Sequence, residues 1–256
     1  MIPIALSIAG SDPSGGAGIQ ADLKTFHQLK VYGAAAITLI TVQNTNRVSR
    51  VELLDAALVA EQIDAVLEDL PPQAAKTGAL GTAAIIEAVA RCSIGCPLVV
   101  DPVMISKHGA PLMDSAAREA LRILLLPKAA LVTPNLHEAA ELAGIPVENP
   151  DHMRDAAIRI GGSVLIKGGH LEGDAVDLLY HSGVFTELRG ARIDTPHTHG
   201  TGCTYSAAIT AFLAHGIPMV EAVTRAKRFI SEAIRTNPGM GAGAGPVNHW
   251  VNGDSL

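Results

Sequence analysis

A chain of 256 residues with a formal charge of -6, 48% hydrophobic and only 3% aromatic residues has room for an aliphatic core of α/β type, in one large unit or two small ones. Its Lys and Arg residues are scattered, without a basic cluster or an aromatic–basic stripe, which argues against nucleic acid as a partner. No apolar run is long enough to span a membrane, Met1-Ile-Pro-Ile-Ala-Leu lacks the basic start of a signal peptide, and Cys92, Cys96 and Cys203 make no disulfide framework, so the expected location is cytoplasmic.

Short apolar runs alternate with helical patterns along the chain. The first strand is expected over Ile4–Ala9, followed by a helix over Gly18–Lys30 and a strand over Ala35–Thr41. A helix over Ala56–Glu68, a strand over Ala74–Lys76, a helix over Thr82–Arg91 and a strand over Leu98–Val100 come next. Then come a helix over Ser115–Leu125, a strand over Ala130–Val132, helices over Leu136–Ala143 and Asp151–Ile160, and strands over Val164–Ile166 and Ala175–Tyr180. Val184–Leu188 and Arg192–Asp194 read as a short antiparallel excursion, and helices over Thr204–His215 and Met219–Arg235 close the pattern. Strands separated by helices predict βαβ units, right-handed crossovers and a mostly parallel sheet. With no repeat or linker in view, one domain is the simplest organisation. The glycine-rich stretch from Asn237 to Pro246 reads as a mobile loop, and Trp250 as an anchor for the C-terminal segment.

Polar or glycine groups come directly after the strands: Gly10-Ser-Asp, Gln43-Asn-Thr, Gly78, Asp101-Pro, Thr133-Pro-Asn and Lys167-Gly-Gly-His. Each alone is ordinary turn chemistry. Parallel strands would gather all of them on one edge, where α/β sheets bind ligands.

His199-Gly-Thr-Gly-Cys-Thr is the most pointed of these features. Gly200 and Gly202 lead into a small-residue helix whose first N–H groups lack backbone partners, a ready anion site. Cys203 falls in its first turn, where a thiol's pKa is expected to be lowered. The plainer reading, a glycine-capped helix with a small core cysteine, stands beside it. Asn135 and Glu138 open the helix after Pro134. They fit a capping box, which the local pattern favours, and they also fit Mg²⁺ held largely through water. Asp101 reads as a turn cap or a metal ligand. Lys167 reads as a phosphate contact or a lysine reaching out of the sheet rim.

Other motifs lead nowhere. Gly16-Ala-Gly-Ile-Gln-Ala resembles a dinucleotide fingerprint, but the turn from Ile8 is too long and no acidic residue stands near Thr41. There is no Walker A sequence. Cys92 and Cys96 form one pair where structural zinc needs four ligands. His170, His197 and His199 show no metal spacing and are left unassigned.

Taken together, Ala9-Gly-Ser-Asp-Pro-Ser-Gly-Gly-Ala-Gly-Ile-Gln-Ala-Asp-Leu-Lys-Thr, Gln43-Asn-Thr, Lys76-Thr-Gly, Val100-Asp-Pro-Val-Met, Thr133-Pro-Asn-Leu-x-Glu, Lys167-Gly-Gly-His-Leu, Thr198-His-Gly-Thr-Gly-Cys-Thr and Gly245-Pro-Val run almost end to end. In this set the chain resembles the ribokinase-like superfamily, and within it the hydroxymethylpyrimidine/phosphomethylpyrimidine kinases of thiamine biosynthesis. The resemblance implies an α/β fold with a mostly parallel central sheet and helices on both faces. It implies ATP-dependent phosphorylation of a pyrimidine alcohol and then of its monophosphate.

By the same resemblance, Gly200, Thr201 and Gly202 form the anion hole, with Cys203 as base where sugar kinases use Asp. Lys167, Asn135 and Thr201 meet ATP, and Asp101 and Glu138 meet Mg²⁺. Gly10, Ala17, Gln43 and Val103 line the pyrimidine pocket, Gln43 offering both a donor and an acceptor. Relatives are commonly dimers, so a homodimer is expected. Ala79 stands where many relatives have Met, which leaves the pocket wall smaller. The nearer rival is a pyridoxal kinase on the same scaffold, against which Gln43-Asn-Thr argues. A non-catalytic ligand-binding protein is the other, against which the intact Cys203, Lys167 and Glu138 argue.

Overall fold

The computed structural model describes residues 2–106, 109, 111–169 and 175–252. Its centre is a nine-stranded sheet in the order β3-β2-β1-β4-β5-β6-β7-β8-β9. The strands are β1 (Ile4–Ser11), β2 (Tyr32–Gln43), β3 (Val48–Leu53), β4 (Ala74–Thr77), β5 (Leu98–Val100), β6 (Leu131–Val132), β7 (Val164–Ile166), β8 (Ala175–His181) and β9 (Val184–Gly190). The stretch from β2 to β7 is parallel throughout. β3 pairs antiparallel with β2 on one flank, and β8 and β9 run antiparallel on the other. The chain leaves β1 first toward β2 and later returns to its other side as β4. That reversal opens a crevice at the carboxyl ends of β1 and β4.

The buried strands read as near-continuous apolar runs because both faces are covered. Ala5, Ala74, Val99, Leu131 and Leu165 point into a core shared with α1 (Gly18–Gln28), α7 (Thr201–Ala214) and α8 (Met219–Arg235). Their neighbours Leu6, Ala75, Leu98 and Val100 point the other way, against α2 (Ala56–Asp69), α3 (Ala83–Arg91) and α4 (Ser115–Ala120). Val164 and Ile166 meet α5 (Leu136–Ala143) and α6 (Pro150–Ile160). This alternation results from the two-residue period of a strand.

α8 buries Ala222, Val223, Ala226, Phe229, Ile230 and Ala233, the single stripe of a surface helix. α7 is buried nearly all round, from Thr204 to Phe212, because it lies between the sheet, α1 and α8. Its run of Ala and Ser lets these layers approach closely.

The structure departs from expectation at a few places. β3 extends the sheet over Val48–Leu53, whose mostly exposed pattern gave no apolar signal. Residues 191–195 form no strand, and the antiparallel excursion is β8 and β9 alone. The helix expected to reach Leu125 widens into a π-turn over Leu121–Leu125 ahead of Pro127, which removes an N–H donor. Trp250 is 68% exposed and anchors nothing, while Val247, His249 and Val251 are buried instead. The glycine-rich loop packs on the β2–β3 turn: a Cβ at Gly243 would stand 2.2 Å from the Thr45 carbonyl oxygen, and the Gly243 N–H reaches Thr45 Oγ1 at 3.3 Å. His170 lies outside the described residues.

Candidate active site

The parallel strands deliver their trailing groups to one edge, as the sequence led us to expect. Gly10 is the last residue but one of β1, Gln43 ends β2, Asp101 comes after β5, Asn135 and Glu138 after β6, and Lys167 after β7. α7 closes the edge from its N-terminal end. Its N-cap, Gly200, has φ 78°, and a Cβ there would stand 1.7 Å from the Gly16 carbonyl oxygen. Only glycine permits both the left-handed backbone and this contact between two loops.

α5 and α6 begin with side-chain caps. α1 and α7 have none among the described residues. The Gly18 N–H of α1 turns to Cys203 and the Thr201 N–H of α7 to the Thr198 carbonyl at 3.3 Å, while Gly202 and Cys203 carry the next N–H groups of the helix start, which lack intrahelical partners. Thr201, Gly202 and Cys203 make up the first turn of α7.

Beside that turn lies a charged cluster. Asp101, 2% exposed, accepts from Lys167 Nζ at 2.9 Å and Thr133 Oγ1 at 3.1 Å through Oδ1, and from Ser206 Oγ at 3.2 Å through Oδ2. Burial works against its charge, but Lys167 and Lys76 outweigh it and hold Asp101 below the usual carboxylate range. A Cβ on Gly202 would stand 3.4 Å from Lys167 Nζ, so the ammonium group faces the glycine turn directly. For Lys167, burial opposes the charge while Asp101 and Glu138 favour it, and the balance lies above the ordinary lysine value.

Asn135 and Glu138 form the complete capping box. Glu138 N–H donates to Asn135 Oδ1 at 2.9 Å, and Asn135 N–H to Glu138 Oε2 at 2.8 Å. The helix-start reading is therefore realised, and it leaves the Glu138 carboxyl within the field of the cluster's charges. Burial first, and Asp101 in addition, push that carboxyl up to about 7 against the pull of Lys167. No group of three or more His, Cys, Asp or Glu side chains is placed to hold a metal among the described residues. Asp101 and Glu138 still suit Mg²⁺, a hard cation that takes one or two carboxylates and completes its shell with water and phosphate oxygens.

Cys203 corrects one expectation. Its thiol is pushed up to about 11, not down, because burial dominates and Asp22 and Asp101 add to it. Lys76 and the Gly18 N–H at the start of α1 act the other way. Behind the thiol lies a pair that the sequence pattern did not single out. Lys76, on β4, reaches Asp22, on α1, at 2.7 Å, and Ser7 Oγ donates to the same carboxylate at 2.6 Å. Lys76 and Asp22 are wholly buried. Asp22, Cys203 and Asp101 together hold Lys76 above its usual value despite its burial. A lysine closing an apolar strand, the signal used for Lys167, was equally present at Lys76.

A second polar centre joins Ala17 and Gln43, two of the residues expected to line the pyrimidine pocket. Asp12 accepts from Ser14 N–H at 2.8 Å and Ala17 N–H at 2.9 Å, and so shapes the loop that carries Ala17. His199 Nε2 lies 2.7 Å from Asp12 Oδ2, and Gln43 Nε2 lies 3.2 Å from the same imidazole nitrogen. His199 is tied on its backbone side to Gly245 and Val247. It thus has a defined place between pocket and glycine turn. Gly10 is held bare by Leu39, 2.5 Å from where its Cβ would stand. Val103 is linked to the cluster through its N–H, which donates to the Asp101 carbonyl at 2.9 Å.

This arrangement sets the Lys167 ammonium group and the glycine turn between the half-buried Cys203 thiol and the Asp12–His199–Gln43 group. Residues 12–248 match a family described as phosphomethylpyrimidine kinase. The hydroxymethylpyrimidine/phosphomethylpyrimidine kinase of Synechococcus elongatus is 48% identical over 257 residues, covering 97% of this chain and 98% of that protein. The thiamine biosynthesis bifunctional protein ThiED of Geobacter sulfurreducens is 47% identical over 98% of this chain, which spans only 53% of that longer protein. Among solved structures, an ADP complex of Bacillus subtilis pyridoxal kinase superposes with a TM-score of 0.90 at 40% identity, over 97% of this chain and 98% of that one. Phosphomethylpyrimidine kinase from Clostridium difficile superposes with 0.80 at 44% identity, over 91% and 99%.

Proposed function

The chain belongs to the phosphomethylpyrimidine kinase family, with its ribokinase-like fold, and on that premise we propose that it phosphorylates 4-amino-5-hydroxymethyl-2-methylpyrimidine with ATP, first to the monophosphate and then to the diphosphate, in thiamine biosynthesis. It acts as one catalytic domain, in the cytoplasm and as a homodimer. The observation that carries the reading is the uncapped start of α7 at Gly200, set against Lys167 and Asp101 with Cys203 in its first turn.

Phosphoryl transfer needs positioning and charge neutralisation more than covalent chemistry. The triphosphate lies along Lys167, Thr201 and the N–H groups of Gly202 and Cys203, with Asn135 at its side. Those N–H groups are fixed before the reaction, so they stabilise the charge of the transferring group without reorganising. Mg²⁺, when bound at Asp101 and Glu138, supplies further neutralisation of phosphate charge. Gly10, Ala17, Gln43 and Val103 seat the pyrimidine so that its hydroxymethyl group faces Cys203.

In the first step the hydroxyl oxygen attacks the γ-phosphorus, the bond to the ADP oxygen breaks, and the hydroxyl proton passes to the Cys203 thiolate. Lys76 favours that thiolate electrostatically. In the second step the attacking phosphate oxygen is already ionised, so the thiolate has no proton to take.

The closeness of the pyridoxal kinase structure favours one second reading, phosphorylation of pyridoxal by the same machinery. An ADP-release assay with the pyrimidine alcohol, its monophosphate and pyridoxal, each with ATP and Mg²⁺, separates the two. Turnover of both pyrimidines above that of pyridoxal is expected. Preference for pyridoxal overturns the substrate assignment, and turnover of none of the three overturns the kinase assignment.

A further inference from the structure

The hydrogens around His199 do not fit the Gln43 amide as it is turned. Asp12 takes bonds from Ser14 N–H at 2.8 Å, Ser14 Oγ at 2.7 Å and Ala17 N–H at 2.9 Å as well as facing His199. Burial works against its charge, but the bonds from His199 and Ser14 hold it below the usual carboxylate range. It is therefore an anion. An anion 2.7 Å from His199 Nε2 requires that nitrogen to carry a hydrogen, because a lone pair there would face a carboxylate. A ring nitrogen carries one hydrogen only, and this one points at Asp12 whether the imidazole is neutral or cationic. Gln43 Nε2, 3.2 Å from the same nitrogen, also carries only hydrogens. Two donors would face each other. A half-turn of the terminal amide exchanges its oxygen and nitrogen while the heavy-atom positions stay filled.

We infer that His199, held by Asp12, fixes the Gln43 amide with Oε1 toward the imidazole and its NH₂ toward the substrate pocket, and is thereby a positioning residue for substrate choice. The inference rests on the reading of Gln43 as the side chain that meets the substrate ring. It adds what that side chain offers. A ligand arriving at Gln43 meets a fixed donor and must present an acceptor, such as an unprotonated ring nitrogen. A ligand with an N–H at that point leaves two donors opposed. An amide free to flip would accept either, so the Asp12–His199 pair converts an adaptable group into a selective one.

The test compares kcat/KM for the pyrimidine alcohol and for pyridoxal in His199→Ala and His199→Gln, each made with Gln43 intact and with Gln43→Ala. His199→Gln retains an N–H near the position of Nε2. With Gln43 intact, His199→Ala should lower the pyrimidine-to-pyridoxal ratio about tenfold, the scale of one lost hydrogen bond, mainly through KM. His199→Gln should restore most of it. In the Gln43→Ala background, His199→Ala should leave the ratio unchanged, because the effect passes through the amide. Nitrogen-15 NMR of the wild-type side chains reads the geometry without turnover: His199 should carry its hydrogen on Nε2, and the Gln43 amide protons should show no contact with the imidazole. Amide protons in contact with the ring, or a ratio that His199→Ala moves equally in both backgrounds, overturn the inference. If Gln43→Ala itself leaves the ratio unmoved, the role of Gln43 in the proposed function falls, and the NMR contacts still decide how His199 holds the amide.

Discussion

Lys167 Nζ stands 2.9 Å from Asp101 Oδ1, and the pair faces the glycine turn from the end of two parallel strands. With Asp101 2% exposed, removing one partner leaves the other as a nearly water-free charge. Lys167→Met should therefore cost about 3–5 kcal/mol of stability and raise the KM for ATP far more than that for the pyrimidine. Urea unfolding and steady-state kinetics check the two halves separately. Unchanged stability would show that water already reaches Asp101.

Glu138 gives a prediction with a definite sign. Its carboxyl lies at about 7 in the folded chain against 4.5 unfolded. Between those values the folded state binds more protons than the unfolded one, so stability falls as pH rises from about 4.5 to 7. The total loss is on the order of 3 kcal/mol. Glu138→Gln should flatten this slope and leave the helix start intact, since a glutamine completes the capping box as well. The variant should still need more Mg²⁺ for activity. A flattened slope with an unchanged Mg²⁺ requirement would assign Glu138 to the cap alone.

Cys203→Ala should lower kcat for the pyrimidine alcohol by roughly 10²–10⁴, the worth of a placed base, and should lower the second phosphorylation much less. With the thiol pushed up to about 11, only a small thiolate fraction exists at neutral pH. The wild-type rate of the first step should accordingly climb as pH rises from 7 toward 10, and the second step should not climb with it. Parallel profiles for both steps would remove Cys203 from the role of base.

The Lys76–Asp22 pair is wholly buried, so its members should not be separable. Lys76→Met leaves a bare carboxylate and should cost about 3–5 kcal/mol, whereas the double change Asp22→Asn with Lys76→Met should recover most of that loss. The recovered protein should still show a slower first step, because nothing cationic then favours the thiolate. Thermal unfolding and kinetics of both steps measure this. Wild-type first-step rates in the double variant would make the pair purely structural.

The edge of ligand groups was legible because β-strand ends and turn residues are local signals. Gly10, Gln43, Asp101, Asn135 and Lys167 could each be placed from the strand that precedes it. β3 escaped because its residues are mostly exposed and antiparallel, so no apolar run marks it. Asp22 and Ser7 escaped for another reason. Asp22 bonds Lys76, 54 residues away, and Ser7, 15 residues away, and no periodicity announces contacts between a helix and the strands beneath it. The rise of the Cys203 thiol was not legible because a helix N-terminus is visible in sequence, while the loss of water around the sulfur and the nearby Asp22 and Asp101 are not. His199 had no metal spacing to betray it, and its bond to Asp12 spans 187 positions.

His199 N–H donates to the Gly245 carbonyl at 3.0 Å, and Val247 N–H returns a bond to the His199 carbonyl at 3.3 Å. The residue that leads into the glycine turn is therefore stitched to a segment synthesised almost fifty positions later. A ribosome-bound chain that has already made Cys203 still lacks the strap that holds His199 against Asp12. These two backbone bonds of His199 can therefore form only after residues 245–247 have been made.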